Sequence, residues 1–484
     1  MDFQIKKTNI TNFYIFLAII HLALFVFITK LFWMKMQDDA YIYMRFANNF
    51  IEHKQIAFNL GEPLIGFTSW LHFAAASLLG IAFERLDIST FLLGTLLHTL
   101  SSLAFIWFIY IVSNKKLNIC WILMIFSLCM LFDNLLIATL GMESGWMILG
   151  IIVCWALYFS EKEELSLVVS ALLILVRPDG ALLFPILFID YLFRKRKIPW
   201  LSVCVFGSLL LIVCALNLGI TGDIFPSTNN AKRAQGFSEL FGKSFGNKLI
   251  TGGFPRHEKQ YFYYLFLGTL ILSYFIGIAK RKIPIKYGLI AIWSVIYVLA
   301  YSMLRVPYIY HWYYVPTIIS LYLMGVIGAI YLLNINNKIL KKTLIFIFIT
   351  AFVFSFFSSI HDKHIDSREK ITASYIEASE FINKNILESS SIAMIEIGVV
   401  GYYIKNRIID LAGITSPEIC ENIKNKNIDF AFEYFKPDYV LIHNPPISVE
   451  LPAILGSYKD KYEIIFKGKE TNAAFGAVWI LKRK

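Results

Sequence analysis

The sequence predicts a polytopic α-helical membrane protein of about eleven spans, closed by a polar C-terminal α/β domain. Three observations predict it. Of 484 residues, 57% are hydrophobic and only 16% charged, more apolar sequence than one soluble core can bury. Apolar runs near the roughly 20 residues that cross a bilayer recur from residue 13 to residue 360. Beyond 361 the chain turns polar and alternates in short periods.

The first element is "FYIFLAIIHLALFVFITKLFWM" after Lys6 and Lys7. It has the order of a signal sequence, but its apolar part is too long and lacks a small-x-small cleavage site, so it reads as a retained helix starting in the cytoplasm. Further spans fall near 91–112, 119–138, 143–160, 164–176, 179–193, 198–218, 261–279, 287–304, 311–333 and 343–360. The two around "RPDG" are short enough to form one kinked element. With this alternation the basic bursts at Lys115 and Lys116, Arg194 to Lys197, Lys280 to Lys286 and Lys338 to Lys342 share one side, as the positive-inside rule requires. The connections "TLGMES", "RPDG", 219–260 and "LRVPYIYH" face the other side, with the C-terminal region. Asp38 and Asp39 join them there. "FTSWLHFAAASLLGIAF" at 67–83 is short for a span and contains His72, so it is expected to be juxtamembrane or re-entrant.

The net charge of +11 follows from those bursts and carries no nucleic-acid signal. Five of six cysteines lie in apolar runs and Cys420 stands alone in the tail, so neither a disulfide framework nor a zinc spacing is present. In the tail, "SREKITASYIEASEFINKNI" reads as a helix, and "SIAMIEIG", "RIIDL", "DYVLIH", "YEIIFKG" and "GAVWILKR" as strands. "EIGVVGYY" resembles a glycine-rich loop after a strand but lacks the full dinucleotide fingerprint.

Ionisable residues at a membrane surface are costly enough to suggest function. In "DDAYIYMRFANNF" a helix puts Asp38, Ile42 and Arg45 on one side, with Asp39 about 100° away beside Tyr43 and Phe46. One acid can accept a proton from an incoming hydroxyl while the other orients the acceptor or holds a cation; a pair of solvated acids explains the spacing equally well. Glu62 reads as solvated. Arg177 needs an anion: Asp38, Asp39, Glu143 or a phosphate. Asp179, after Pro178, is explained by capping free amides. Lys232 and Arg233 either meet an anionic headgroup or snorkel. His311, at the end of a span, suits phosphate or sugar, while Tyr308 and Tyr310 read as aromatic belt. No cofactor is specified; carboxylate oxygens suit Mg²⁺, Mn²⁺ or Ca²⁺, without a spacing that selects one.

In order along the chain, "DDAYIYMRFANNFIEHKQIAFNLGEPLIGFTSW", "GMES", "RPDG", "FPSTNNAKRA" and "IGVVGYYIKNRIIDLAGITSPEI" resemble motifs of the GT-C superfamily of polytopic glycosyltransferases, in particular the bacterial terminal arabinofuranosyltransferases. The resemblance implies a site on the external, periplasmic side of the inner membrane, a polyprenyl-phosphate sugar donor, possession of Asp38 and Asp39 as the acidic motif with one as catalytic base, Glu143, Arg177 and Asp179 in the same cavity, and Lys232 near the donor. The acceptor would be an envelope glycan or glycolipid, and the sugar a pentofuranose. The chain departs from the pattern in reading "GMES" for Gly-Leu-Glu-Thr and "PSTNNAK" where Pro-Asn-Thr and a later lysine are common. A secondary transporter or an envelope-glycan polymer ligase is the alternative. A transporter would show paired broken helices in internal repeats; no repeat is visible, and the polar motifs sit at span ends.

Overall fold

The computed structural model describes residues 7–250, 261–335, 337–470 and 476–484. Lys6 and part of the 219–260 connection lie outside them. Helices α1 (Lys7–Leu31), α2 (Asp38–His53), α3 (Trp70–Ala82), α4 (Leu86–Val112), α5 (Leu117–Leu131), α6 (Asn134–Ile137), α7 (Ser144–Phe159), α8 (Glu163–Val176), α9 (Leu183–Lys195) and α10 (Trp200–Thr221) form the first part. There follow α11 (Ser227–Ser238), α12 (Phe245–Ile250), α13 (Tyr261–Ala279), α14 (Leu289–Leu304), α15 (Val315–Leu333) and α16 (Lys338–Ile360). Five stretches among the described residues are long and apolar enough to cross a membrane: Leu86–Val112, Trp200–Thr221, Ile285–Leu304, Trp312–Leu333 and Lys338–Ile360.

The other apolar helices are shorter. At 13 residues, α3 is about 20 Å long and falls short of a roughly 30 Å hydrocarbon core; its His72 instead donates from Nε2 to the Gly141 carbonyl, 3.1 Å away. The segments around "RPDG" are two helices, not one kinked element. α8 and α9 pack on each other, and Arg194 near the end of α9 reaches Glu163 at the start of α8 at 2.7 Å, so the pair is an antiparallel hairpin.

The tail contributes α17 (Lys363–Asn385), β1 (Ser391–Met394), α18 (Gly398–Tyr403), β2 (Arg407–Asp410), β3 (Tyr439–Asn444), β4 (Tyr462–Lys467) and β5 (Ala477–Arg483). The sheet order is β2-β1-β3-β5-β4, parallel across β2-β1-β3 and antiparallel across β3-β5-β4. Both faces are covered, as parallel strands demand. Ile392, Met394, Leu441, Val478 and Ile480 join the same core as Tyr41, Met44 and Phe46 of α2. Ala393, Ile409, Val440 and Ile442 share a second core with Ala231 and Ala234 of α11. The tail is thus fastened to the helical part through both faces of its sheet.

Candidate active site

The site is built where the chain leaves α1 and starts α2. Helical phase divides the two aspartates of that first turn. Asp39, with Ile42 and Tyr43, lines a cavity that opens to solvent and is completed by Gly66, Phe67 and Thr68, by Met142 and Glu143, by Thr228 and Lys232 of α11, by Trp312 and Tyr313, and by Ile414. Asp38 turns instead to the tail. Its Oδ2 accepts the Gly398 amide and its Oδ1 the Val399 amide, both at 2.7 Å, and it hydrogen-bonds Glu396.

Burial pushes the Asp39 carboxyl above its ordinary range, and the nearby Lys232 ammonium opposes the rise. Burial likewise lowers Lys232 to about 8, against the pull of Asp39, Asp410, Glu396 and Glu143. The ammonium stands 3.2 Å from the centre of the Tyr310 ring, a favourable cation–π geometry, and Tyr310 donates to Gln235 Oε1 at 2.6 Å. α11 is held in turn by Ser227, which donates to Ile65 O at 2.9 Å and Ile414 O at 2.5 Å, and by Gln235 to Ala412 O at 2.6 Å. Burial raises Asp410 to about 6; its oxygens take the amides of Ala412 and Thr415 at 2.8 Å and so shape the loop that brings Ile414 to the cavity.

Glu143 is presented by the turn before α7. Gly141 holds φ at +82° there, a conformation glycine adopts without strain, and a Cβ on Gly94 of α4 would lie 2.3 Å from the Gly141 nitrogen. Glu143 Oε1 takes Arg177 Nη1 at 3.4 Å. Among the described residues its Oε2, like Thr228 Oγ1, is buried with no hydrogen-bond partner. Two polar atoms of one cavity are therefore available to a ligand.

The remaining expected residues separate. Arg177 pairs with neither aspartate of α2: Nε donates to Asp179 at 3.0 Å, Nη1 to Glu143 and Nη2 to Tyr301 at 3.0 Å, with its guanidinium 4.5 Å from the Tyr313 ring centre. It braces the wall behind Glu143 and Tyr313. Asp179 caps no helix; it is drawn to the buried guanidinium and accepts the Tyr297 hydroxyl at 2.7 Å, a stronger partner set than exposed amides offer. Arg45 points away from the cavity, its nitrogens donating to Phe58 O, Gly401 O, Ile404 O, Asn406 O and Asn59 Oδ1. Arg233 is exposed on the outer face of α11. The His311 side chain lies outside the described residues. Tyr310 serves Lys232 rather than standing in an aromatic belt. Sequence reasoning missed Glu396 as a site residue; the available signal was its place at the end of a strand, two residues before Gly398, whose Cβ would lie 1.9 Å from the Asp38 carbonyl. Among the described residues no three His, Cys, Asp or Glu side chains converge to hold a metal ion.

Residues 362–480 match a family described as a domain of unknown function, DUF8728. No curated protein matches the chain. The oligosaccharyltransferase of Archaeoglobus fulgidus, tethered with an acceptor peptide containing the NVT sequon, superposes with TM-score 0.56 at 12% identity, over 94% of this chain and 73% of that one. Its apo form gives the same TM-score and identity, over 94% and 74%. ArnT from Cupriavidus metallidurans bound to undecaprenyl phosphate superposes with TM-score 0.51 at 9% identity, over 97% and 98%. At such identities the likeness is one of fold: the chain is folded like these oligosaccharyltransferase and ArnT structures.

Proposed function

We propose that this chain is a membrane glycosyltransferase that moves a sugar from a polyprenyl-phosphate donor to a hydroxyl of a cell-envelope glycan or glycolipid, at the periplasmic face of a bacterial inner membrane. The observation that carries the reading is the meeting of Asp39 and Lys232 in one cavity at the end of the helix bundle. ArnT, similar in fold, was crystallised with undecaprenyl phosphate, the lipid-phosphate chemistry this reading needs.

In the reaction, Asp39 takes the proton of the acceptor hydroxyl as its oxygen bonds to the anomeric carbon. The bond from that carbon to the phosphate oxygen breaks, and the departing polyprenyl phosphate gains negative charge. Lys232 counters that charge in a poorly solvated cavity, where a fixed cation acts most strongly. Glu143 Oε2 and Thr228 Oγ1 hydrogen-bond sugar hydroxyls, while Trp312 and Tyr313 offer apolar faces to the ring. A pentofuranose is the finer reading, supported by the sequence resemblance alone. Eleven spans with the site end outward would place the cavity where a lipid donor enters between helices.

The test is reconstitution of the purified protein with a panel of radiolabelled polyprenyl-phosphate sugars, comparing wild type with Asp39→Asn. Consumption of one donor by the wild type and its loss in the variant is expected. If no donor is consumed, or the variant transfers at the wild-type rate, the reading fails.

A further inference from the structure

We propose that the tail selects the donor sugar: Ile414, on the loop 410–416, is the wall that limits how bulky a sugar the cavity accepts. The proposal rests on the glycosyltransferase reading and gives residues 362–480 a task within it. Among the described residues, Ile414 is the one residue of the tail that lines the cavity.

A side chain excludes bulk only if its backbone does not give way, and this loop is held from within and from outside. Within it, Asp410 accepts the amides of Ala412 and Thr415 at 2.8 Å, and its own amide donates to Ser416 Oγ at 3.0 Å. Gly413 stands at φ +83°, a conformation open to glycine that turns the chain just before Ile414. From α11, Ser227 Oγ donates to the Ile414 carbonyl at 2.5 Å and Gln235 to the Ala412 carbonyl at 2.6 Å. Ile414 is itself buried in the core that joins the loop to Ala231 and Ala234. The loop also presses on the cavity rim, where a Cβ on Gly66 would lie 3.0 Å from Thr415 Cγ2.

The position of Ile414 along the cavity points to the donor rather than the acceptor. Ser227, bonded to its carbonyl, directly precedes Thr228, and Lys232 follows Thr228 one helical turn later on the same face of α11. Lys232 is the cation that meets the departing phosphate, so the sugar joined to that phosphate lies on the side of the cavity that Ile414 closes. An isoleucine offers a sugar no hydrogen bond. It discriminates by overlap alone, and added bulk against a fixed apolar wall is costly.

Competition between two donors tests this. The purified full-length protein receives equal amounts of the polyprenyl-phosphate sugar it uses best and the homologue carrying one further hydroxylated carbon, and mass spectrometry gives the share of each in the product. Both donors compete for the same active molecules, so the ratio does not depend on how much of a variant has folded. Ile414→Val and Ile414→Ala are expected to raise the share of the bulkier sugar stepwise, the alanine by about 10-fold, the scale on which one carbon alters discrimination in an apolar pocket. Ile409→Val, buried in β2 beside the loop but not in the cavity lining, is the packing control and is expected to keep the wild-type ratio. An unchanged ratio in both Ile414 variants overturns the proposal, as does an equal shift in the control or loss of all transfer in Ile414→Val. A wild type that takes both donors equally well overturns it too. A wild type that consumes no donor sinks the glycosyltransferase reading and this proposal with it, whereas sugar transfer with unaltered selectivity sinks the proposal alone.

Discussion

Asp39 and Lys232 make the sharpest demands at the scale of single residues. Asp39→Asn is expected to lower sugar transfer by about 10²–10⁴-fold, the usual worth of a general base, with the melting temperature of the purified protein retained, since its carboxylate supports no cap and no clasp. Lys232→Met should weaken undecaprenyl phosphate binding, read by titration, because a methionine fills the space without the charge. The pH profile follows from the signs. The base must be ionised, so activity rises as pH climbs through the raised Asp39 value. The ammonium must be protonated, so activity falls as pH passes about 8. A profile flat between pH 5 and pH 9 would contradict both assignments. Sequence alone made the aspartate pair visible and its helical phase separated the two, because adjacent helical residues diverge by 100°. Glu396 was hidden: its partner Asp38 lies far back in the chain, and the glycine that permits the approach looked like part of a nucleotide loop.

Among elements, the decisive contact is α2 against α18. Arg45 spends its donors on backbone carbonyls across that seam, so Arg45→Met leaves several buried acceptors unsatisfied. A loss of about 3 kcal/mol or more is expected, measured as a lower thermal midpoint and as faster proteolysis of the tail. The long apolar helices and all five strands were legible because apolar periodicity and length announced them. α11 was not. "STNNAKRAQGFS" is rich in residues that favour turns, and it reads as a polar connection. It is helical because Ala231 and Ala234 pack into the second face of the sheet while Ser227 and Gln235 bond to loops from both parts of the chain. Tertiary packing there overrides local preference, and no window of sequence could reveal it.

For the whole molecule, the proposed topology puts the site end and the basic end of the bundle on opposite sides of a membrane. In a cysteine-free background, single cysteines at the exposed positions Lys54 and Lys424 should react with an impermeant maleimide from the same side, and one at Arg196 only from the other. Labelling of Lys54 and Arg196 positions from one side would reject the topology. The sequence turns polar near 361, but how deeply the tail packs on the helices was not legible, because the residues that join them are ordinary core residues in each. Asp38 is seized by amides that belong to the final quarter of the chain. The turn that carries it is therefore locked only after residues 398 and 399 have been made and folded against it, so a product truncated before them would carry an unfixed Asp38 and, under the proposed function, transfer no sugar.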